Sequence, residues 1–249
     1  MKISIITVVF NNSSTIKSAI DSVLSQRYPD IEYIIVDGAS TDGTLDIIRQ
    51  YGSAIHQVIS EKDAGIYDAM NKGIKLCTGE VIGILNSDDV YDHHDVIANV
   101  MEAFLNDRHL DLVYGDLVYV KGDNINQVVR KWTSESYYPD FFEDGHVPPH
   151  PSLFIKRAVY EKVGLFDLKM RLAADYEFML RLFKRHNYKS KYINRLFVRM
   201  RLGGATNVSL KNIISGNLEI LAAWKQNHLK APYLLMPKRI FKRLTQFLK

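Results

Sequence analysis

The chain has 249 residues, 47% hydrophobic and 24% charged, with 14 Gly, 7 Pro and one Cys. These proportions are those of an ordinary globular protein and exclude a disordered, collagen-like or disulfide-stapled chain; the lone Cys77 has no intrachain partner, which favours a reducing cytoplasm. The net charge of +4 hides an asymmetry: residues 185 to 249 hold 14 Lys/Arg against a single acid, Glu219, whereas residues 1 to 184 hold 18 basic and 27 acidic residues, an acidic body that opposes nucleic-acid binding by the basic end.

In chain order, Ile3 to Phe10 is expected to be a buried strand, too short to span a membrane, and no later run reaches about 18 apolar residues. Ser13 or Ser14 caps a helix running to about Gln26 with Ile16, Ala19, Ile20, Val23 and Leu24 on one face, and Pro29 stops it. A strand from Ile31 to Val36 leads to Asp37. Thr41-Asp42-Gly43-Thr44 then caps a short helix carrying Leu45, Ile47 and Ile48. Ile55 to Ser60 is a third strand, followed by a helix with Tyr67, Met70, Ile74 and Lys75 that ends near Thr78-Gly79, and Val81 to Leu85 is a fourth strand. Apolar runs alternating with helical patterns in this way predict βαβ units and a largely parallel sheet.

Residues 92 to 106 read as helical and Leu112 to Val120 as a strand. Residues 121 to 150, rich in Gly, Pro, Asp and Tyr, read as a loop over a site. A short strand (Ser152 to Ile155), helices at Arg157 to Val163 and Tyr176 to His186, a strand at 190 to 201, a flexible Gly203-Gly204 pair and a helix from Leu210 to Asn227 complete the pattern, without internal repeats.

Ligands of open α/β sheets bind beyond the carboxyl ends of the strands, so the polar residues there are the candidates. Strand one delivers Asn11 and Asn12, strand two Asp37, strand three leads to Glu61 and Asp63, and strand four delivers Asn86-Ser87-Asp88-Asp89. Acidic groups gathered on one edge repel one another unless a cation or hydrogen-bond donors compensate, which favours a Mg²⁺ or Mn²⁺ site at Asp88-Asp89 over a helix cap. Asp37-Gly38 also fits an Asx turn. No GxGxxG is present, and Gly38 to Gly43 lacks a Walker lysine, so neither a dinucleotide loop nor a P-loop is predicted.

Ser4-Ile5-Ile6-Thr7-Val8-Val9-Phe10-Asn11, Ile35-Val36-Asp37-Gly38-Ala39-Ser40-Thr41-Asp42-Gly43-Thr44, Asn71-Lys72-Gly73, Thr78-Gly79-Glu80 and Leu85-Asn86-Ser87-Asp88-Asp89 occur in this order. The succession resembles the family 2 glycosyltransferases, inverting enzymes of GT-A fold, over roughly residues 2 to 205. The resemblance implies an α/β domain over 1–205 with a mixed, mainly parallel sheet flanked by helices, and a helical, basic C-terminal extension over 206–249. It implies a nucleotide-sugar donor met by Thr7, Val9, Asn11, Asp37, Asp63 and Asp88, and a divalent cation (Mn²⁺ or Mg²⁺) at Asp89. Asn86 departs from the family's more usual carboxylate at the first position of that motif. Ala173-Ala174-Asp175-Tyr176-Glu177 resembles the family's acidic motif whose aspartate deprotonates the acceptor, so Asp175 is the expected catalytic base and Glu177 the alternative; read without the family, Asp175 is equally an ordinary N-cap.

His150, set among Pro148, Pro149 and Pro151, is a candidate donor or acceptor contact, and Trp132 and Tyr137-Tyr138 are either a sugar platform or packing. Arg199 and Arg201 resemble the end of the domain, where a loop closes on the donor. In the tail, Tyr233, Leu234, Leu235, Ile240, Phe241, Leu244, Phe247 and Leu248 interleave with Lys238, Arg239, Lys242, Arg243 and Lys249, a pattern that fits a helix either packed on the body or lying on an anionic membrane. The expected activity is therefore transfer of a sugar from a nucleotide donor, UDP-linked, to a glycan or lipid-linked acceptor of bacterial surface polysaccharide, in the cytoplasm or on the inner membrane face. Two rivals are a sugar-nucleotide nucleotidyltransferase, which needs a Gly-rich basic loop where Asn11-Asn12-Ser13-Ser14 stand, and a non-catalytic nucleotide- or carbohydrate-binding module.

Overall fold

The computed structural model describes residues 1–203 and 210–246. Gly204 and the expected domain boundary at 205/206 lie outside the described residues, as do Phe247, Leu248 and Lys249. The described strands form one sheet. β1 (Ile3–Val9), β2 (Ile31–Asp37), β3 (Gln57–Ser60) and β4 (Val81–Ile84) are parallel, joined by α1 (Ile16–Leu24), α2 (Thr44–Arg49) and α3 (Ile66–Leu76). Next come β5 (Val90–Tyr91), α4 (Val96–Asn106), β6 (Leu112–Lys121), β7 (Asn124–Trp132), β8 (Leu153–Lys156), α5 (Arg157–Val163), α6 (Ala174–Leu180), β9 (Ser190–Arg201), α7 (Leu210–Gln226) and α8 (Leu235–Thr245). The strand order is β3-β2-β1-β4-β8-β6-β9-β5, with β7 paired to β6. β8 runs antiparallel to both β4 and β6, whereas β6 and β9 are parallel, so the sheet is mixed, as the family resemblance implies.

Alternation along β1 divides the core. Ile6 and Val8 face one apolar cluster with Met70, Phe178 and Trp224, while Ile3, Ile5 and Val9 face the other with Ile20, Phe104 and Phe197. The predicted loop over 121–150 is corrected in its first third. Lys121 turns through Gly122-Asp123 into β7, which pairs antiparallel with β6. β7 escapes a hydrophobicity reading because it is largely exposed and so carries Asn124, Asn126, Gln127 and Lys131 in place of an apolar run.

The predicted helix at 176–186 is helical up to Arg185 but changes type, α6 ending at Leu180 and a π turn following over Arg181–Arg185. The C-terminal segment packs into the body. Ile220, Ala223, Trp224 and Leu235 join the core, and Trp224 Nε1 donates to Tyr176 Oη at 2.9 Å. No described helix is long and apolar enough to cross a membrane.

One polar knot fastens the sheet. Glu32 on β2 accepts hydrogen bonds from Ser4 Oγ, Lys2 Nζ, Thr78 Oγ1 and Thr78 N–H. Burial works to raise its pKa, but the four donors outweigh it and hold the carboxyl down at about 2. A carboxyl depressed in the fold contributes stability that is complete above its unfolded value and is lost as pH falls towards about 2. Glu32→Gln is expected to lose about 2 to 3 kcal/mol, the worth of charge-assisted hydrogen bonds, in urea unfolding at pH 7. The difference between the two proteins should shrink as the acid limb is descended; equal midpoints at pH 7 would show that the knot is idle.

Candidate functional site

The carboxyl ends of β1, β2, β3 and β4 lie side by side, and their loops are tied together by side chains. Asn11, at φ 47°, accepts from Thr41 N–H at 2.8 Å through Oδ1 while its own N–H donates to Ser40 Oγ at 2.8 Å. Asn12 donates from N–H to Thr44 Oγ1 and from Nδ2 to Ser87 Oγ, both at 2.9 Å, so the first and fourth loops are joined. Asp63 stands against Gly38: a Cβ at that glycine would lie 2.5 Å from Asp63 Oδ2, so only glycine allows this approach.

Three of the expected donor residues are placed differently from the sequence reading. Thr7 and Val9 point into the core, because alternate residues of a strand share a face and theirs is the one that holds Tyr33; Thr7 Oγ1 lies 3.0 Å from Tyr33 Oη. Asp37 is fully buried, its carboxylate accepting from Ser60 Oγ at 2.6 Å and from Ser40 N–H at 3.1 Å. That is the Asx-type arrangement, and it leaves no exposed Asp37 atom to meet a base in this conformation.

β4 delivers the acidic motif. Asp89 is fully buried and Asp88 half-buried. Burial, then the neighbouring Asp88 charge, push the Asp89 pKa well above the carboxylate range; burial also raises that of Asp88. Asn86 Nδ2 donates to Asp89 Oδ2 at 3.2 Å, yet Asp89 Oδ1 and Asn86 Oδ1 are both buried with no hydrogen-bond partner. Two unmet oxygen acceptors beside a half-buried carboxylate form a donor set suited to a hard divalent cation, so the residues fit such an ion. Among the described residues no three His, Cys, Asp or Glu side chains are placed so as to hold a metal ion together, so water and a bound phosphate would have to supply the remaining ligands. Asp88 caps no helix: α4 begins after Asp95. Arg201 Nη1 instead donates to the Asp88 carbonyl at 2.5 Å, and Arg199 pairs with Asp92 at 2.6 Å.

Asp175 sits in the first turn of α6 but caps nothing. That task falls to Glu219 of α7, whose carboxylate accepts from Leu172 N–H at 2.8 Å and Ala173 N–H at 2.9 Å. Asp175 Oδ1 accepts instead from Tyr67 Oη at 2.9 Å. Burial first, and then the Asp175 charge, hold the Tyr67 phenol well above its usual pKa, so Tyr67 stays a donor. The sequence pattern places Tyr67 on a helix face only; its position at the opening of α3, shortly after Asp63, is the one signal of a site role.

Glu177 is corrected as an alternative base. Two residues along a helix turn about 200°, so Glu177 faces away from Asp175, into the protein. There it pairs with Arg181 at 2.7 Å and accepts from Asn227 Nδ2 at 2.9 Å. His150 is buried, edge-on to Phe166 at 5.5 Å, and burial holds its imidazole neutral against the opposing charge of Asp175. Trp132 stacks on Tyr119, and Tyr137 packs on Phe141, Phe142 and Phe183, so these aromatics serve packing.

The Glycosyl transferase family 2 model matches residues 4–164. The "PGL/p-HBAD biosynthesis glycosyltransferase" of Mycobacterium bovis is 30% identical over 195 residues, covering 77% of this chain and 73% of that protein. Among solved structures, S. aureus TarS 1-349 in complex with UDP superposes with a TM-score of 0.68 at 20% identity, over 100% of this chain and 71% of that one. In a longer TarS chain the match spans 43% of the length. The mannosyltransferase PcManGT from Pyrobaculum calidifontis, in complex with GDP-Man and Mn²⁺, gives a TM-score of 0.63 at 18% identity, over 97% of this chain and 73% of that one. At these identities the structural likeness speaks for the fold.

Proposed function

Because the chain belongs to glycosyl transferase family 2, we propose that it moves one sugar, with inversion, from a UDP-linked donor to a hydroxyl of a lipid-linked glycan in bacterial surface polysaccharide synthesis. The observation that carries this reading is that one chain holds two built groups: Asp175, oriented by Tyr67, and the Asn86–Asp89 turn with its two unmet buried oxygens. A purely binding module has no need of a carboxylate held by a tyrosine in addition to such a turn. The UDP assignment draws on the UDP complex of TarS, and cation use on the Mn²⁺ complex of PcManGT.

In this reading Asp175 takes the proton of the acceptor hydroxyl as its oxygen attacks the anomeric carbon. The bond from that carbon to the diphosphate oxygen breaks, and the nucleoside diphosphate departs from the opposite face, inverting the configuration. Tyr67 holds one carboxylate oxygen, which fixes the plane of the group. A divalent cation at Asp89 and Asn86 would offset the charge growing on the diphosphate. Asp63 and Asn11, on the loops beyond β3 and β1, would border the nucleotide; His150, buried as a neutral imidazole beside Asp175, would border the acceptor. Residues 1–205 would form the catalytic body. The outer side of α8 and the segment before it, with Tyr233, Leu234, Ile240, Phe241 and Leu244 exposed beside Lys242, would rest on an anionic membrane surface.

A donor screen tests the proposal: purified protein, Mn²⁺, and UDP-, GDP- and dTDP-sugars without acceptor, read as release of nucleoside diphosphate. Slow hydrolysis confined to one UDP-sugar is the expected result, with UDP binding that tightens when Mn²⁺ is added. Turnover of a GDP- or dTDP-sugar instead would overturn the UDP assignment, and failure of every nucleotide to bind would overturn the activity.

A further inference from the structure

α8 carries a charge that the proposed chemistry leaves unused. Arg239 places its guanidinium carbon 4.5 Å from the centre of the Tyr176 ring, next to the proposed base, and its Nη1 is buried with no hydrogen-bond partner. Asp175 and Arg243 are its charged neighbours, but no described carboxylate comes within ion-pair distance of it. Burial draws its pKa down, the mark of a cation set among too little solvent and too few counter-charges. One turn further along α8, Arg243 is a charge neighbour of Tyr119, on whose ring Arg130 lies at 3.7 Å.

The helix is held in this position. Gly145, at φ 83°, lets the 133–149 segment approach so closely that a Cβ there would lie 2.8 Å from Arg239 N. Lys238 pairs with Asp144 at 2.8 Å, Lys131 N–H donates to the Gln246 carbonyl at 3.2 Å, and Leu235 is buried. Arg239 is thus presented by a fixed element. On the opposite side of the same two turns Ile240, Phe241 and Leu244 are each more than half exposed.

Resting on the transferase reading above, we propose that Arg239, assisted by Arg243, binds the phosphate that joins the acceptor glycan to its lipid. The guanidinium is steadied by the Tyr176 hydroxyl and ring while its Nη1 keeps unmet N–H groups for a phosphate oxygen, and its place beside Asp175 sets the anion on the acceptor side. The lipid chain then leaves along the apolar outer side of α8, so one helix meets headgroup and tail.

The test uses decyl phosphate below its micellar concentration, in EDTA, with inorganic phosphate and decyl glucoside as partial ligands, and UDP plus Mn²⁺ as the reference. Calorimetry should show decyl phosphate bound more tightly than either partial ligand. Arg239→Gln should weaken it about 10- to 100-fold, Arg239→Lys should recover part of the loss, and the exposed Arg243→Gln should weaken it several-fold. UDP affinity with Mn²⁺ should stay within about twofold in all three variants, which also shows that they fold. Unchanged decyl phosphate affinity in Arg239→Gln overturns the inference, and so does a loss confined to UDP, which would give the arginine to the donor. Inorganic phosphate binding as tightly as decyl phosphate removes the lipid from it. If the unaltered protein binds UDP but not decyl phosphate, this inference alone fails; if it does not bind UDP, the transferase reading fails first.

Discussion

Asp175→Asn is expected to lower the rate of sugar transfer by about 10³-fold while leaving UDP affinity with Mn²⁺ within about twofold. The amide keeps the size and shape of the carboxylate and can still accept the Tyr67 hydrogen bond that reaches Oδ1 at 2.9 Å. What it cannot do is accept the hydroxyl proton. The α6 N-terminus should tolerate the exchange, because Glu219, not Asp175, satisfies the N–H groups leading into that helix. Tyr67→Phe removes the orienting bond only, and about a tenfold loss is expected. Adding Tyr67→Phe to Asp175→Asn should cost little more, since the tyrosine acts through the carboxylate. The measurement is single-turnover transfer with a saturating donor. If Asp175→Asn keeps more than a tenth of the rate, the proton goes elsewhere and His150 becomes the next residue to test.

The first half of the chain was the more legible, for a physical reason. β1, β2 and β4 are buried on both faces, so they read as unbroken apolar runs, and the helices between them keep a regular apolar face. The polar residues after those runs were therefore identifiable as a ligand edge. What could not be read was direction. Thr7 and Val9 fall within the motif, but which side of β1 they point to depends on the sheet's neighbours, and Tyr33 and α1 cover that side. Glu177 is two residues from Asp175, a separation that a linear motif does not distinguish from adjacency but a helix turns to the far side. β7 was lost because an exposed strand needs no apolar run. Partners distant in sequence were equally hidden: Tyr67 with Asp175 across 108 positions, and Glu219 capping α6 from 46 positions on. Composition did mark the tail as basic and amphipathic, but it could not show that Arg239 turns inward while Ile240 and Phe241 turn out.

Asp89 offers the sharpest test of how stability and function oppose each other in this site. Its carboxylate is fully buried, has Asp88 for a neighbour and leaves Oδ1 unmet next to the unmet Asn86 Oδ1. Without a cation this arrangement is unfavourable to the ionised carboxylate: two acceptors lack donors, and burial beside the Asp88 charge works against its charge. Replacing it by an amide removes the ionisable group and brings an N–H donor within the turn of the unmet Asn86 Oδ1. Asp89→Asn is therefore expected to be more stable than the unaltered protein in EDTA, by about 1 to 3 kcal/mol, or roughly 2 to 4 °C in Tm for each kcal/mol in a chain of this size. Mn²⁺ with UDP should raise the Tm of the unaltered protein and scarcely move that of the variant, because a ligand stabilises a fold only in proportion to its binding. Transfer should fall by at least about 100-fold. The three readouts bear on one another. A variant that is less stable in EDTA would mean that Asp89 is a structural acid, satisfied in solution by water. One that is stabilised in EDTA and still responds fully to Mn²⁺ would move the cation away from Asp89. Only gain of stability, loss of the metal response and loss of transfer together fit a turn whose local strain is kept because a cation relieves it during catalysis.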